Sequence, residues 1–266
     1  MQTAIQKLSR HIRSFRYSWK PFYRHCGLNH SDHPVHASAD VPTIDARIAI
    51  SHQHRFLFVR IPKCANTTIL TTLWLCESGT SSDVIETMDP RERKLLLRKP
   101  NMMKLFTRPS SLSRNDTREV LKNYCKAVIV RNPHSRLASA YLYKIRKGPT
   151  TQRLGLPKNL SFAGFCDYLH DGGLHADIHW MPQSHICPLP PEELNFIGKM
   201  ENLAEDLPRL TRIVYGRSAR IFTRQHHATQ ANKHLHELYG KYEKQRVAEL
   251  YAKDFAFFDY DPEKLP

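Results

Sequence analysis

The chain has 266 residues, 41% of them hydrophobic, so it can bury a full core. Its net charge of +15 indicates an anionic partner, such as a phosphorylated cofactor, an acidic polysaccharide, an anionic lipid or a nucleic acid. No run approaches the roughly 18 apolar residues of a membrane span, and no signal-peptide core is present. The six cysteines form no Cys-x-x-Cys pair. We therefore expect no disulfide framework and a reducing, cytoplasmic location.

Residues 1–24 have the pattern of a basic amphipathic helix. Apolar residues recur at three- and four-residue steps from Ile5 to Trp19, basic residues occupy other positions, and Pro21 ends the pattern. This predicts peripheral contact with an anionic membrane, although packing on the domain or disorder explains the pattern equally well.

Residues 27–43 are rich in His, Ser, Asp and Pro, which is typical of a linker. We therefore divide the chain into an N-terminal extension, residues 1–43, and a single domain, residues 44–266.

Residues 55–76 predict a strand, a turn and a helix. Residues 56–61 are β-branched and aromatic, and the proline after them cannot donate to a strand ladder. Apolar residues then recur at helical spacing after Thr67, which can cap the helix. A helix N-terminus that follows a strand binds phosphate through its unpaired N–H groups. The predicted phosphate loop comprises Pro62, Lys63, Cys64, Ala65, Asn66, Thr67 and Thr68.

The residue types of this loop suit an anion. Ala65 lets the backbone approach a ligand closely, and Asn66 tolerates a left-handed conformation. Lys63 adds a positive charge, and Thr67 and Thr68 add hydroxyl donors. An ordinary turn with a surface lysine is the alternative. The loop is not a Walker A motif, because its lysine precedes the turn and it has no glycine.

A second strand, residues 127–130, is followed by Arg131 and a predicted helix over residues 134–147. Arg131 and Ser139 could together grip a second phosphate, since the planar guanidinium matches phosphate geometry. Parallel strands end at one edge of a sheet, so both phosphate sites would lie side by side. Taken alone, this second stretch is also compatible with a surface arginine and an ordinary helix serine.

Together these stretches resemble a known family. Residues 62–68 resemble the 5′-phosphosulfate loop of sulfotransferases, P-K-x-[GA]-x-T-[ST], with Ala65 where many members have glycine. Residues 131–141 match the family's 3′-phosphate motif, R-x-P-x-x-R-x-x-S-A-Y. The chain thus resembles enzymes dependent on 3′-phosphoadenosine 5′-phosphosulfate (PAPS), in particular carbohydrate sulfotransferases of the chondroitin and dermatan type (sulfotransferase family 2).

The resemblance implies an α/β fold, with a P-loop-NTPase-like parallel sheet flanked by helices. It also implies sulfuryl transfer from PAPS, without a metal, to a hydroxyl of a carbohydrate or polysaccharide. Lys63 would stabilise charge on the leaving 5′-phosphate, and Arg131 and Ser139 would hold the 3′-phosphate.

Residues 179–185 resemble the family's acceptor-side H-x-x-x-Q segment. Trp180 could stack on a sugar ring, and His179, Gln183 and His185 could bind hydroxyls. His179 is the first candidate for the general base and His185 the second.

Two further features complete these expectations. Glu77, just after the phosphate-loop helix, is an alternative general base. His175 adds a third histidine to the acceptor side, but the spacing of the three matches no known zinc site.

The C-terminal third continues the resemblance. Residues 194–197 predict a third strand, and residues 198–203 resemble the family's G-[KR]-x-E-N-L segment at a helix start. Residues 247–260 predict a helix with an aromatic tail. Residues 252–260 are also typical of the family's C-terminus, so the resemblance runs over residues 56–260. The alternatives are a P-loop-type kinase or nucleotide-binding protein and, in another class, a basic nucleic-acid-binding protein, although no nucleic-acid-binding module is recognised.

Overall fold

The computed structural model describes residues 20–26, 41–146, 150–222 and 234–266. Most of the predicted amphipathic helix (residues 1–24) and of the predicted linker (residues 27–43) lies outside these ranges.

Within these ranges the sheet has four strands: β1 (Ile48–Ser51), β2 (Phe56–Val59), β3 (Cys125–Val130) and β4 (Phe196–Lys199). The helices in the first half are α1 (Pro21–His25), α2 (Val41–Asp45), α3 (Asn66–Ser78), α4 (Ser82–Thr87), α5 (Pro90–Leu96), α6 (Lys99–Met102), α7 (Arg114–Asn123) and α8 (Pro133–Ala140). The helices in the second half are α9 (Thr150–Leu154), α10 (Phe162–His170), α11 (Gln183–Ile186), α12 (Leu203–Tyr215), α13 (Leu235–Leu238), α14 (Lys241–Leu250) and α15 (Ala252–Phe257).

The strand order is β1-β2-β3-β4, with β2, β3 and β4 parallel. The predicted α/β fold with a parallel sheet is therefore confirmed for these three strands. The sequence analysis missed β1, which pairs antiparallel with β2 and makes the sheet mixed. Because β2, β3 and β4 run in the same direction, their carboxyl ends meet at one edge of the sheet.

Both faces of the sheet are covered. Alternation along β2 places Phe56 and Phe58 on one face, where they pack with α3 and α12. Leu57 and Val59 point to the other face, where Phe22 of α1 and residues of the 181–189 stretch cover them. A third cluster joins α8, α10, α14 and α15 around the buried Trp180. The sheet is thus buried on both sides, and its carboxyl edge is left for a site.

Several predicted boundaries differ from the observed ones. The predicted helix over residues 134–147 is α8 followed by a π-helical turn, Tyr141–Ile145. The third predicted strand begins two residues later than expected, at Phe196. The helix predicted after it begins with a 3-10 turn, Met200–Asn202. The predicted C-terminal helix is two helices, α14 and α15, separated at Tyr251.

The start of the described chain packs on the domain. Phe22 and Tyr23 of α1 are fully buried. Tyr23 donates a 2.6 Å hydrogen bond to Asp45 Oδ1, which ties α1 to α2. Residues 41–43, predicted as part of the linker, belong to α2.

Candidate active site

The phosphate loop joins β2 to α3 with two residues in the left-handed region. Lys63 has a φ of 69° and Ala65 a φ of 49°. The prediction that Asn66 supplies this conformation and Thr67 caps the helix is wrong: Ala65 is the N-cap, and α3 begins at Asn66. A left-handed non-glycine residue costs roughly 1–2 kcal/mol. No side chain among the described residues caps α3, so its first N–H groups are not used by a cap. They lie at the carboxyl edge of the sheet, because α3 follows the end of β2.

Lys63 is half-buried beside this loop. Its Nζ lies 4.3 Å from the centroid of the Tyr143 ring. Burial, and then the positive charges of Arg131, Lys144 and Arg136 in that order, together lower the pKa of Lys63 to about 8. An anion bound here would relieve this repulsion and favour the charged lysine.

Arg131 brings the two predicted phosphate sites together. Its Nη1 donates to the Lys63 carbonyl at 3.2 Å, and its Nε donates to Ser135 Oγ at 2.8 Å. Ser139 is buried one turn after Ser135 on α8, so both serines lie on the helix face that meets Arg131. The structure therefore places the loop lysine, the strand-end arginine and the helix serine at one edge of the sheet.

Arg136 joins the phosphate loop to the acceptor-side segment, which we define as residues 175–185. This fully buried guanidinium donates to the Pro62 carbonyl at 3.0 Å, to the Met181 carbonyl at 2.8 Å and to the Ile178 carbonyl at 3.3 Å. Its planar fork satisfies three carbonyls from two distant parts of the chain. The relative position of the two sides is thereby fixed.

Gln183 makes a second link between the two sides. Its amide is assigned so that Nε2 donates to the Arg131 carbonyl at 2.7 Å and Oε1 accepts from the Arg131 backbone N–H at 3.0 Å. Oε1 also accepts from Cys64 Sγ at 3.2 Å. Because Gln183 is fully buried with its amide engaged, it positions Arg131 and does not face an acceptor hydroxyl as the sequence analysis expected.

His179 is held by a carboxylate that the sequence analysis did not single out. His179 Nδ1 lies 2.6 Å from Asp177 Oδ1, and Asp177 Oδ2 accepts from Arg153 Nη2 at 2.8 Å. Burial lowers the pKa of His179 most, and the charges of Lys144 and Arg47 lower it further, against the opposing effect of Asp177.

His185 pairs with another histidine. Its Nδ1 lies 3.0 Å from His175 Nε2, and the two rings stack with an interplanar angle of 16°. Burial lowers the pKa of His175, which favours a neutral ring there. His185, like His179, is thus engaged at one ring nitrogen.

Two predicted contributions are not supported. Trp180 is fully buried and donates from Nε1 to the Gly173 carbonyl at 3.0 Å, so it cannot stack on a sugar. Glu77 lies near the end of α3, far along that helix from the phosphate loop. It accepts from Ser51 Oγ at 2.7 Å and from the Tyr215 hydroxyl at 3.0 Å. Glu77 is therefore excluded as a base next to the loop.

Lys144 connects the donor and acceptor sides. It lies close enough to lower the pKa of Lys63 and that of His179. Lys144 sits in the π-helical turn that follows α8, and this change of helix type gave no signal in the sequence. The long-range contacts of Asp177 likewise could not be found from spacing alone.

Three arginines extend the positive charge beyond His179. Arg47 directly precedes β1, at the sheet edge that carries the phosphate loop, and its carbonyl accepts from the Arg60 N–H at 2.9 Å. Burial, and then the charges of Arg47 and Arg108, together lower the pKa of Arg60 to about 10. Arg60 Nε is buried without a hydrogen-bond partner among the described residues. This edge therefore favours anionic groups.

Glu201 supports the loop that follows β3. Its Oε1 accepts from the Asn132 N–H at 2.9 Å, and its Oε2 accepts from the Tyr260 hydroxyl at 2.9 Å. These contacts give the Glu of the G-[KR]-x-E-N-L segment a structural role next to Arg131.

Comparison with known proteins identifies the family. The model described as "Sulfotransferase family" matches residues 46–261, which is most of the chain. The chain belongs to the sulfotransferase family. No solved structure matches it.

Curated relatives agree with this assignment. Carbohydrate sulfotransferase 14 of Danio rerio is 27% identical over 203 residues, covering 68% of this chain and 52% of the relative. Carbohydrate sulfotransferase 10 of Xenopus laevis is 30% identical over 199 residues, covering 62% of this chain and 52% of the relative. Carbohydrate sulfotransferase 8 of Mus musculus is 23% identical over 251 residues, covering 84% and 58%. The chain spans about half the length of the curated relatives it matches.

The described residues hold no candidate metal site and no candidate membrane span. No group of three or more His, Cys, Asp or Glu side chains there is arranged to hold a metal ion. Within the same ranges, no helix combines the length and apolar character needed to cross a bilayer. All six cysteines are free thiols.

Proposed function

We propose that this sulfotransferase moves a sulfuryl group from PAPS to a hydroxyl of a carbohydrate. The observation that carries the proposal is the 3.2 Å hydrogen bond from Arg131 Nη1 to the Lys63 carbonyl. It brings the two motifs that resemble 5′- and 3′-phosphate sites into direct contact. A ligand with phosphate groups at both ends of a nucleoside fits this arrangement better than a nucleotide with one phosphate chain.

In the proposed reaction the acceptor oxygen attacks sulfur while the bond between sulfur and the bridging phosphate oxygen breaks. The electron pair of that bond goes to the 5′-phosphate of the departing 3′,5′-bisphosphoadenosine. Lys63 and the first N–H groups of α3 stabilise the negative charge that grows there. Arg131 and Ser139 hold the 3′-phosphate, and these contacts position the donor without taking part in bond cleavage.

The proton of the acceptor hydroxyl goes to His179 Nε2 in this mechanism. His179 is half-buried, its Nδ1 faces Asp177, and the charge of Lys144 lowers the pKa of both His179 and Lys63. His185, whose Nδ1 lies 3.0 Å from His175 Nε2, is the second candidate.

The acceptor is proposed to be a carbohydrate or polysaccharide, on the strength of the named relatives. The arginines Arg47, Arg60 and Arg108 support an acidic one, because the charges of Arg47 and Arg108 lower the pKa of Arg60 and because Arg60 Nε is buried without a hydrogen-bond partner among the described residues.

Peripheral contact with anionic membrane remains part of the proposal for residues 1–24, of which α1 packs on the domain. If the full-length protein fails to sediment with anionic liposomes at low salt, membrane contact is wrong.

The test is transfer of label from [³⁵S]PAPS to a panel of acidic and neutral glycans by the full chain. We expect labelled acidic glycan from the wild-type protein. We also expect no transfer of label from [γ-³²P]ATP, which separates the proposal from a P-loop-type kinase. Failure to bind 3′,5′-bisphosphoadenosine, together with no sulfate transfer to any glycan, would overturn the proposal.

A further inference from the structure

The side chain of Asp177 is arranged to control His179. Its Oδ1 accepts from the His179 backbone N–H at 3.0 Å and lies 2.6 Å from His179 Nδ1. Its Oδ2 accepts from Arg153 Nη2 at 2.8 Å. The Asp177 side chain is 14% exposed and that of His179 is 25% exposed, so water competes little with these bonds.

This geometry determines the state of the imidazole ring. Because a carboxylate only accepts hydrogen bonds, we assign the proton of neutral His179 to Nδ1, which leaves the lone pair on Nε2. No described residue makes a hydrogen bond to Nε2. The nitrogen that can take a proton is therefore the one that faces away from the carboxylate.

The backbone around this pair is fixed on both sides. Arg136 binds the carbonyls of Ile178 and Met181, which flank His179 and Trp180. The N–H groups of Trp180 and Met181 donate to the Asp177 carbonyl at 3.3 and 3.1 Å. The histidine thus sits on a turn that is already organised for one ring orientation.

We propose that Asp177 is a positioning residue for sulfuryl transfer, which holds His179 with Nε2 towards the acceptor and stabilises the imidazolium formed there. The inference rests on the proposed function, because it needs His179 to accept the hydroxyl proton. It adds a carboxylate–histidine pair that neither the motifs nor the comparisons assign.

The charges around the pair set the direction of its pH response. Burial raises the pKa of Asp177, but its hydrogen bonds from His179 and the charges of His179 and Lys144 outweigh burial, so the net pKa lies below its ordinary value. Asp177 is therefore ionised at neutral pH. On His179 it opposes the lowering of the pKa by burial, Lys144 and Arg47. Removing its charge should lower the pKa of His179.

The test compares Asp177→Asn with the wild-type enzyme. We expect kcat to fall at least about tenfold, as for other outer partners that orient a functional histidine. We expect the acid limb of the kcat–pH profile to move to lower pH, and the affinity for 3′,5′-bisphosphoadenosine to stay unchanged. A purely structural role for Asp177 would not move the pH limb.

A second readout does not depend on activity. In ¹⁵N-histidine NMR of the full chain, we expect neutral wild-type His179 to be protonated at Nδ1 and its pKa to fall in Asp177→Asn. Asp177→Glu keeps the charge, so it should retain a pH limb near that of the wild type, which also guards against a folding defect. The matched control is Asp171→Asn, whose exposed carboxylate lies 3.2 Å from His170 Nδ1.

The outcomes separate this inference from the proposed function. An unchanged His179 pKa in Asp177→Asn would overturn the pair, even if the enzyme transfers sulfate. A lowered pKa with wild-type kcat would overturn the positioning role and leave the sulfotransferase function standing. Absence of any sulfate transfer by the wild-type protein would overturn the proposed function and the catalytic role of Asp177 with it, whatever the NMR titration shows.

Discussion

The donor and acceptor sides of the site are built in different ways. On the donor side, strand ends and a helix N-terminus present backbone groups, and Arg131 lies against the Lys63 carbonyl. On the acceptor side, half-buried side chains of residues 175–185 pair mainly with each other, as Asp177 does with His179. In the proposed mechanism, regular elements bind the fixed geometry of the phosphates, and a segment of short turns carries proton transfer and acceptor binding.

Arg136 and Gln183 couple the donor side of the site to the acceptor side. Each is fully buried, and each bridges from the donor side to the acceptor-side segment. A change in either residue should therefore affect both sides. Changes in Lys63 or His179 should affect one side only.

The largest effect is expected on the acceptor side. His179→Ala should lower the single-turnover rate of sulfate transfer by roughly 10²–10⁴, because it removes the proposed general base. Affinity for 3′,5′-bisphosphoadenosine, measured by calorimetry, should not change. His170→Ala, an exposed histidine on α10, is the control. A wild-type rate in His179→Ala would move the base to His185 or to a carboxylate.

The matching change on the donor side is Lys63→Ala. We expect a fall of about 10²–10³ in the single-turnover rate, since one donor to the developing charge is lost. The loss of 3′,5′-bisphosphoadenosine affinity should be smaller, because the N–H groups of α3 and Arg131 remain. Lys104→Ala, at an exposed position, should behave like the wild type. A wild-type transfer rate in Lys63→Ala would contradict the mechanism.

The connection that Arg136 makes between the donor and acceptor sides is tested by the free energy of unfolding. Arg136→Ala removes the donor from two buried carbonyls, those of Pro62 and Met181, and from the partly buried Ile178 carbonyl, and each unmet buried group costs about 1–3 kcal/mol. We expect the free energy of unfolding in urea to fall by at least about 3 kcal/mol. Exposed Arg146→Ala should change it by no more than about 0.5 kcal/mol. Equal stability of the two variants would show that Arg136 is not a bridge.

The smallest expected effect is the uptake of a proton by Lys63 when the nucleotide binds. Burial and neighbouring cations lower the pKa of Lys63 to about 8, so part of the free protein carries a neutral lysine above that pH. A bound phosphate should restore the charge, and binding of 3′,5′-bisphosphoadenosine near pH 9 should take up a fraction of a proton. Calorimetry in buffers of different ionisation enthalpy measures this uptake, which should disappear in Lys63→Ala. Uptake that persists in the variant would assign the proton to another group.

The same shift has a consequence for stability. The unfolded chain holds its lysine proton up to the ordinary pKa of 10.5, whereas the folded free protein loses it near 8. Between these values the unfolded state binds more protons, so the Lys63 contribution to stability rises with pH.

The donor side was largely predictable from the sequence, because its chemistry follows local patterns. Strand and helix periodicity placed β2, α3 and β3, and the residues after each strand gave Lys63 and Arg131. The local conformation was predicted less well: Ala65, not Asn66, takes the left-handed turn. The small side chain of Ala65 tolerates the left-handed conformation that the connection between the strand and the helix requires.

The acceptor side was not predictable to the same degree. Trp180 and Gln183 lie in a segment that the sequence identifies. Trp180 bonds to the Gly173 carbonyl, and Gln183 bonds to Arg131 and Cys64. These partners are distant in sequence or have no patterned spacing, so the burial of the two side chains could not be predicted. The short antiparallel β1 was missed because four residues give too weak an alternation signal.

The central claim is that two phosphate sites lie side by side at the carboxyl edge of the sheet. Calorimetry that compares 3′,5′-bisphosphoadenosine with AMP tests it most directly, because the ligands differ only by the 3′-phosphate. Each charge-assisted hydrogen bond lost with that group costs about 1.5–3 kcal/mol, or about 10- to 150-fold in affinity. We expect 3′,5′-bisphosphoadenosine to bind at least about tenfold more tightly, with part of this preference lost in Ser139→Ala. Equal affinities for the two nucleotides would contradict the second phosphate site at Arg131 and Ser139.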